Sequence, residues 1–326
     1  MRAFDTKLYL LRCNKARGNH VLDDVAWRET GARCFGKTAC RLRECSTRRT
    51  KFDGHDCKLV AVAFTSHGDI VASDAGNKKI KIFSALGKLK VECSIPKNYA
   101  YGLVEPSGVA VLDTGEIVTC DRRAGNLKVF TAEGKCLTTL ARSLVRPCGL
   151  AITSTSAIVV SDEGKKDVVI FKSISDRKPV SLQRLNPRQL DLQTPFAVCV
   201  TSTDQIVVLD IGLKKFLLFS KEGILCSDNL IPKDVLGHLV KSDLVKPVSL
   251  YQGLSMCKGP DGSILIGNCA LGSILQFDVT QRKLCRQVFA NSIVSAKPCA
   301  VATDDDGFLG VIEEDRQTLK IFRYRH

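Results

Sequence analysis

The chain has 326 residues, 44% of them hydrophobic and 25% charged, which suits a soluble globular protein with a sizeable core. Its 48 basic and 34 acidic residues leave a net charge of +14, a surplus that draws polyanions but says nothing about fold. Aromatics at 6% exclude a broad aromatic surface, and no apolar run reaches the length needed to cross a bilayer.

The N-terminal stretch opens with a short apolar patch, Leu8 to Leu11, broken at once by Arg12, Lys15 and Arg17. That pattern is too short and too charged for a secretory signal. Fifteen cysteines, an odd count without an export signal, read as reduced thiols of a cytosolic or nuclear protein, and a cytoplasmic location is expected. No C-x-x-C pair occurs, and the loose group Cys34, Cys40, Cys45, His55 and Cys57 matches no zinc-finger spacing, so scattered thiols explain it better than a metal. Residues 1–29 form an N-terminal segment without an assigned structure, and residues 30–326 form one domain.

From residue 58 onward the sequence repeats. In chain order the segments DAGNKKIKIF (Asp74 to Phe83), DRRAGNLKVF (Asp121 to Phe130), DEGKKDVVIF (Asp162 to Phe171), DIGLKKFLLF (Asp210 to Phe219), NCALGSILQF (Asn268 to Phe277) and EEDRQTLKIF (Glu313 to Phe322) share one frame. The interval from first residue to Phe is nine in all six, while successive Phe residues stand 47, 41, 48, 58 and 45 apart. Thirteen residues upstream of each opening position lies a small residue, in four units two after a proline: Pro106-Ser-Gly, Pro147-Cys-Gly, Pro195-Phe-Ala and Pro298-Cys-Ala. Short β-rich runs follow, punctuated by turns such as Asp113-Thr-Gly, Ala132-Glu-Gly and Lys221-Glu-Gly. Each unit therefore reads as four short antiparallel strands, the pattern of a propeller blade. The fold expected is all-β, a six-bladed β-propeller, its inner strands covered on both sides and hence nearly continuous Val, Ile and Leu. The acidic residue that closes each second strand, as in Asp74, Asp121, Asp162 and Asp210, is expected to accept hydrogen bonds from the loop after it.

The pattern P-x-G-[VA], turn, I-V-x-x-D and a closing basic-I-x-x-F resembles the NHL repeat, and the chain looks most like the C-terminal propeller of TRIM-NHL proteins. The resemblance covers about residues 58–326. Units one and five depart from it, with Leu59 and Gly253 in the place of proline and a long connection from Cys226 to Tyr251. The last unit stops just after its third strand. In the NHL family an N-terminal segment supplies the missing one, for which Ala32 to Phe35 is the first candidate and Lys7 to Cys13 the second.

Function is sought on the rim that carries the loops between strands two and three and the loops between blades. Four consecutive units place basic pairs in the first loop type: Lys78 and Lys79, Arg122 and Arg123, Lys165 and Lys166, Lys214 and Lys215. Lys97, Arg142, Arg146, Lys246 and Lys297 lie in the second type, and Arg316 is the contribution of unit six. Phe196, Tyr99 and Tyr101 are placed to stack on unpaired bases. Several TRIM-NHL propellers bind single-stranded RNA on this face, so the resemblance implies RNA as partner and post-transcriptional regulation as role. The alternative is a protein-interaction module, for instance substrate recognition in a ubiquitin-ligase-type system. No catalyst, cofactor, metal or small-molecule substrate is expected, because the five histidines do not recur at equivalent positions. A metal-dependent propeller hydrolase is the weakest reading.

Overall fold

The computed structural model describes residues 40–46, 53–93, 95, 102–140, 143–175, 179–182, 190–228, 254–259, 262–269, 272–289 and 297–323. Strand β1 (Cys40–Ser46) precedes the repeat. Blade one is β2 (Leu59–Phe64), β3 (Ile70–Asp74), β4 (Lys79–Phe83) and β5 (Leu89–Cys93), and blade two is β6 (Pro106–Val111), β7 (Ile117–Asp121), β8 (Asn126–Phe130) and β9 (Cys136–Leu140). Blade three is β10 (Pro147–Ile152), β11 (Ile158–Asp162), β12 (Asp167–Phe171) and β13 (Val180–Ser181). Blade four is β14 (Pro195–Val200), β15 (Ile206–Asp210), β16 (Lys215–Phe219) and β17 (Leu225–Ser227). Blade five is β18 (Leu254–Lys258), β19 (Ile264–Asn268), β20 (Ser273–Asp278) and β21 (Lys283–Phe289). Blade six is β22 (Pro298–Thr303), β23 (Phe308–Glu313) and β24 (Thr318–Arg323), with β1 as its outermost strand.

The six sheets form a six-bladed β-propeller. Each first strand abuts the first strand of the next blade, and β22 meets β2, so the circle closes. Closure is sealed by β1, which pairs antiparallel with β24 from Cys40 opposite Arg323 to Ser46 opposite Thr318. Here the structure corrects the expected closing strand: it is Cys40–Ser46, while Ala32 to Phe35 and Lys7 to Cys13 lie outside the described residues. A closed circle leaves no blade edge facing a missing neighbour, which protects the sheet against edge pairing.

The upstream proline motif has a physical cause. In blades two, three, four and six the proline opens the first strand, where a missing N–H costs nothing, and the pairing register slips directly after it. The small residue of that motif faces the neighbouring blade at close range. A side-chain carbon at Gly108 would come within 2.5 Å of the Cys148 carbonyl, and one at Gly149 within 2.8 Å of the Phe196 carbonyl. Equivalent positions of adjacent blades thus lie level, so the first strands run parallel around the axis and all equivalent loops share one rim.

The acidic residue of the repeated frame is a turn organiser, with a second duty. Asp121 accepts from Ala124 N–H in the loop that follows, and also from Val104 and Glu105 N–H in the connection arriving from blade one. Asp162 does the same with Lys165, Val145 and Arg146, and Asp210 with Leu213, Gln193 and Thr194. One buried carboxylate therefore staples the second-to-third-strand hairpin to the interblade connection.

Burial differs from the expectation in one respect. The second strands β3, β7, β11, β15 and β19 are buried at every position, but the innermost strands β2 and β10 are only partly covered. The innermost strand has blade on one edge and the axial channel on the other. The second strand has a strand of its own blade on each edge and a neighbouring blade on each face.

Candidate functional site

Fourth after the opening residue, every hairpin has a residue in the left-handed region: Lys78 (φ 56°), Gly125 (65°), Lys166 (55°), Lys214 (54°), Gly272 (60°) and Gln317 (48°). A left-handed residue at this place reverses the chain tightly and throws the adjoining side chains outward. Lys78, Arg123, Lys165, Lys214 and Arg316 are exposed there and make no ion pair among the described residues. Since the hairpins share one rim, these five cations form a broken ring around it, interrupted at blade five.

The remaining sequence-selected cations are engaged. Lys79 lies 3.1 Å from Asp53 and 3.2 Å from Glu92, and Arg122 reaches Glu163 at 2.5 Å and Glu105 at 3.8 Å. Arg146 also meets Glu163, at 3.4 Å, while Lys215 pairs with Asp228 and Lys297 with Asp315. Lys166 donates to Gln193. Phe196 is 7% exposed and forms part of the channel wall, so it does not present an open ring face. Lys97, Tyr99, Tyr101, Arg142 and Lys246 lie outside the described residues.

Inside this rim, the channel begins at a collar of six side chains from equivalent positions: Val60, Ser107, Cys148, Phe196, Leu254 and Cys299. The space there measures about 100 Å³, and toward the opposite rim it widens to about 340 Å³. Above the collar, two interblade pairs guard the mouth: Arg122 with Glu163, and Cys269, whose thiol donates to Glu314 at 2.8 Å. Burial pushes the Cys148 thiol up to about 12, eased by Arg122, and burial with the Glu314 charge pushes Cys299 to about 12. At neutral pH these sulfurs are thiols, so neither is prepared as a thiolate nucleophile.

Sequence reasoning missed the buried lysines. Lys81, Lys128 and Lys320 occupy one equivalent position on the third strand and are all but inaccessible. Lys320 is held by Glu313 at 2.5 Å. Around Lys81 the arrangement is denser: its Nζ lies 2.9 Å from Asp53 Oδ2, 2.9 Å from Asp74 Oδ2 and 3.0 Å from Cys57 Sγ. Burial on its own would lower the lysine, but these partners outweigh it and hold the ammonium charged. Asp53, Cys57 and Asp74 offer three converging ligand atoms, yet the Lys81 ammonium stands among them and supplies the cation. The signal was legible in K-I-K-I-F, N-L-K-V-F and T-L-K-I-F. A lysine between aliphatics on a strand covered on both faces must be buried.

No family model matches the chain, and no curated protein matches it. Solved structures do. A streptogramin B lyase structure is 14% identical with a TM-score of 0.58, covering 83% of this chain and 80% of that one. The catalytically inactive virginiamycin B lyase from Staphylococcus aureus with quinupristin is 11% identical, with a TM-score of 0.61 and coverage of 86% and 98%. A nidogen/laminin complex structure is 15% identical, with a TM-score of 0.54 and coverage of 72% and 81%. At such identities the likeness establishes the fold. It also corrects the expectation that the chain is no enzyme: lyases stand among its structural neighbours, so the exclusion of catalysis does not hold.

Proposed function

We propose that the protein is a binding propeller that takes single-stranded RNA across the hairpin rim of blades one to four. The observation that carries this reading is the row of exposed cations Lys78, Arg123, Lys165 and Lys214, which neighbouring carboxylates leave available to phosphates. The net charge of +14 and the resemblance to TRIM-NHL propellers point the same way. In this proposal the protein works in the cytoplasm in post-transcriptional regulation. Lys79, Arg122, Arg146 and Lys215 hold the rim together and set the height of the exposed set.

The test is binding to a randomised single-stranded RNA, followed by fluorescence anisotropy at two salt concentrations. Affinity is expected to fall steeply with salt, with a log–log slope of about 0.7 per phosphate contact. The combined variant Arg123→Glu, Lys165→Glu and Lys214→Glu flattens that slope. RNA binding that ignores both salt and the triple variant sinks the reading.

A protein partner on the opposite rim is the second reading. The turns between third and fourth strands expose Leu86 (63%) and Ile224 (44%), apolar side chains that water does not favour. A partner retained after nuclease treatment and lost in Leu86→Glu with Ile224→Glu decides for it.

A further inference from the structure

Lys81 is not among the exposed cations of the rim, yet its surroundings set a cysteine sulfur against a lysine nitrogen. Cys57 Sγ and Lys81 Nζ are 3.0 Å apart, in a site where the lysine is 1% and the cysteine 7% exposed. The Cys57 thiol leans toward Asp53 Oδ2 at 3.7 Å, which turns a sulfur lone pair toward the amine. Asp53 and Asp74, each 2.9 Å from Nζ, fix the lysine nitrogen in place and favour its ammonium form, so only a small fraction is free amine at any time.

We propose that Cys57 and Lys81 are a modification site that closes, under hydrogen peroxide, into a covalent sulfur–oxygen–nitrogen crosslink. In the first step the Cys57 sulfur attacks one peroxide oxygen, the O–O bond breaks, and the departing hydroxide takes the thiol proton as water, leaving a sulfenic acid. In the second, the small fraction of Lys81 present as free amine, its extra proton released to solvent, attacks a second peroxide and becomes a hydroxylamine with release of water. The hydroxylamine oxygen then attacks the sulfenic sulfur and expels a third water. Sulfur and nitrogen each lose two electrons, and two peroxides accept them. Burial holds the Cys57 thiol at about 12, so the first step is slow and the crosslink records sustained oxidation, not a brief pulse. Its consequence is structural. The segment at Asp53 and Cys57, which leads from the closing strand β1 into blade one, becomes tied to β4 beside the seam of the circle.

The full chain is exposed to hydrogen peroxide, digested and mapped by mass spectrometry. The expected product joins the Cys57 and Lys81 peptides with a mass gain of one oxygen less two hydrogens, and a thiol reductant separates them. Cys57→Ser and Lys81→Arg each abolish it. Exposed Cys226 serves as the internal sign that the oxidant has acted. Cys57 recovered as free thiol, sulfinic acid or disulfide beside an oxidised Cys226 overturns the proposal. Should either variant fail to fold, the wild-type map and its reversal by reductant decide alone.

Discussion

Blades one and four solve the same packing problem with opposite chemistry. At the seventh position after the opening aspartate, blade one buries Lys81 among Asp53, Asp74 and Cys57, whereas blade four buries Leu217 in an aliphatic cluster with Val198, Ile206 and Phe219. Both positions sit on the third strand; Leu217 packs with Val159 and Val168 of the preceding blade, and Lys81 is covered by the segment that carries Asp53 and Cys57. The difference lies in what the chain just outside the blade supplies. Blade one is entered from the closing strand, and that entry carries Asp53. Blade four receives Thr194 and Gln193, whose backbone N–H groups both donate to Asp210. A buried ion pair gains little net stability over aliphatic packing, but it is exacting about its partners. In blade one the charged solution lies next to the seam where the circle is joined, and Lys128 repeats the buried lysine in blade two.

The comparison breaks most sharply under Lys81→Met. Asp53 and Asp74 would remain buried with one cation fewer, so a loss of about 3–5 kcal/mol is expected in chemical denaturation. Leu217→Ala, which leaves a cavity and strands no charge, should cost about 2–4 kcal/mol. Equal insensitivity of both sites to substitution would remove the distinction.

Acid separates the two blades next. Burial would raise Asp74, but the Lys58 N–H, Lys81 and Asn77 outweigh it and hold the carboxyl below its ordinary 3.8. A depressed carboxylate contributes stability above its unfolded value, and that contribution is lost as the pH falls through the folded one. The denaturation midpoint should therefore drop below about pH 3.8, and Asp74→Asn should flatten that limb of the profile. An unchanged acid limb in the variant would contradict the account.

The smallest effects test the six left-handed hairpin positions. Blades two and five use Gly125 and Gly272 there, while blade four strains Lys214. Lys214→Gly should gain about 0.5–1 kcal/mol, the relieved strain less the chain entropy of glycine. Gln317→Gly should instead lose about 1 kcal/mol, since the Gln317 side chain accepts from Leu59 N–H at 2.6 Å across the seam. Thermal midpoints moving in the same direction for both would show that the seam bond is idle.

Much of the fold was readable in the residues. The fixed interval from Asp74 to Phe83, repeated five times more, marks the hairpin that each blade turns on, and Pro106 or Pro147 marks the strand before it. These are local signals, because turns and strand starts depend on neighbours in sequence. The candidate site was only half readable. Lys78, Arg123, Lys165 and Lys214 stand exposed in their hairpins, but nothing local distinguishes Lys78 from Lys79 or Arg123 from Arg122. Their different fates depend on Asp53, Glu92 and Glu163, carboxylates supplied by other strands or blades.

By itself the sequence determined the number of blades, the strand pattern within each and the shared rim for equivalent loops, since periodicity and turn chemistry act within one repeat. Tertiary structure alone decided which segment closes the circle, which cations are neutralised and that Lys81 meets Cys57. Those outcomes depend on distances between residues far apart in the chain, and a repeat pattern carries no record of them.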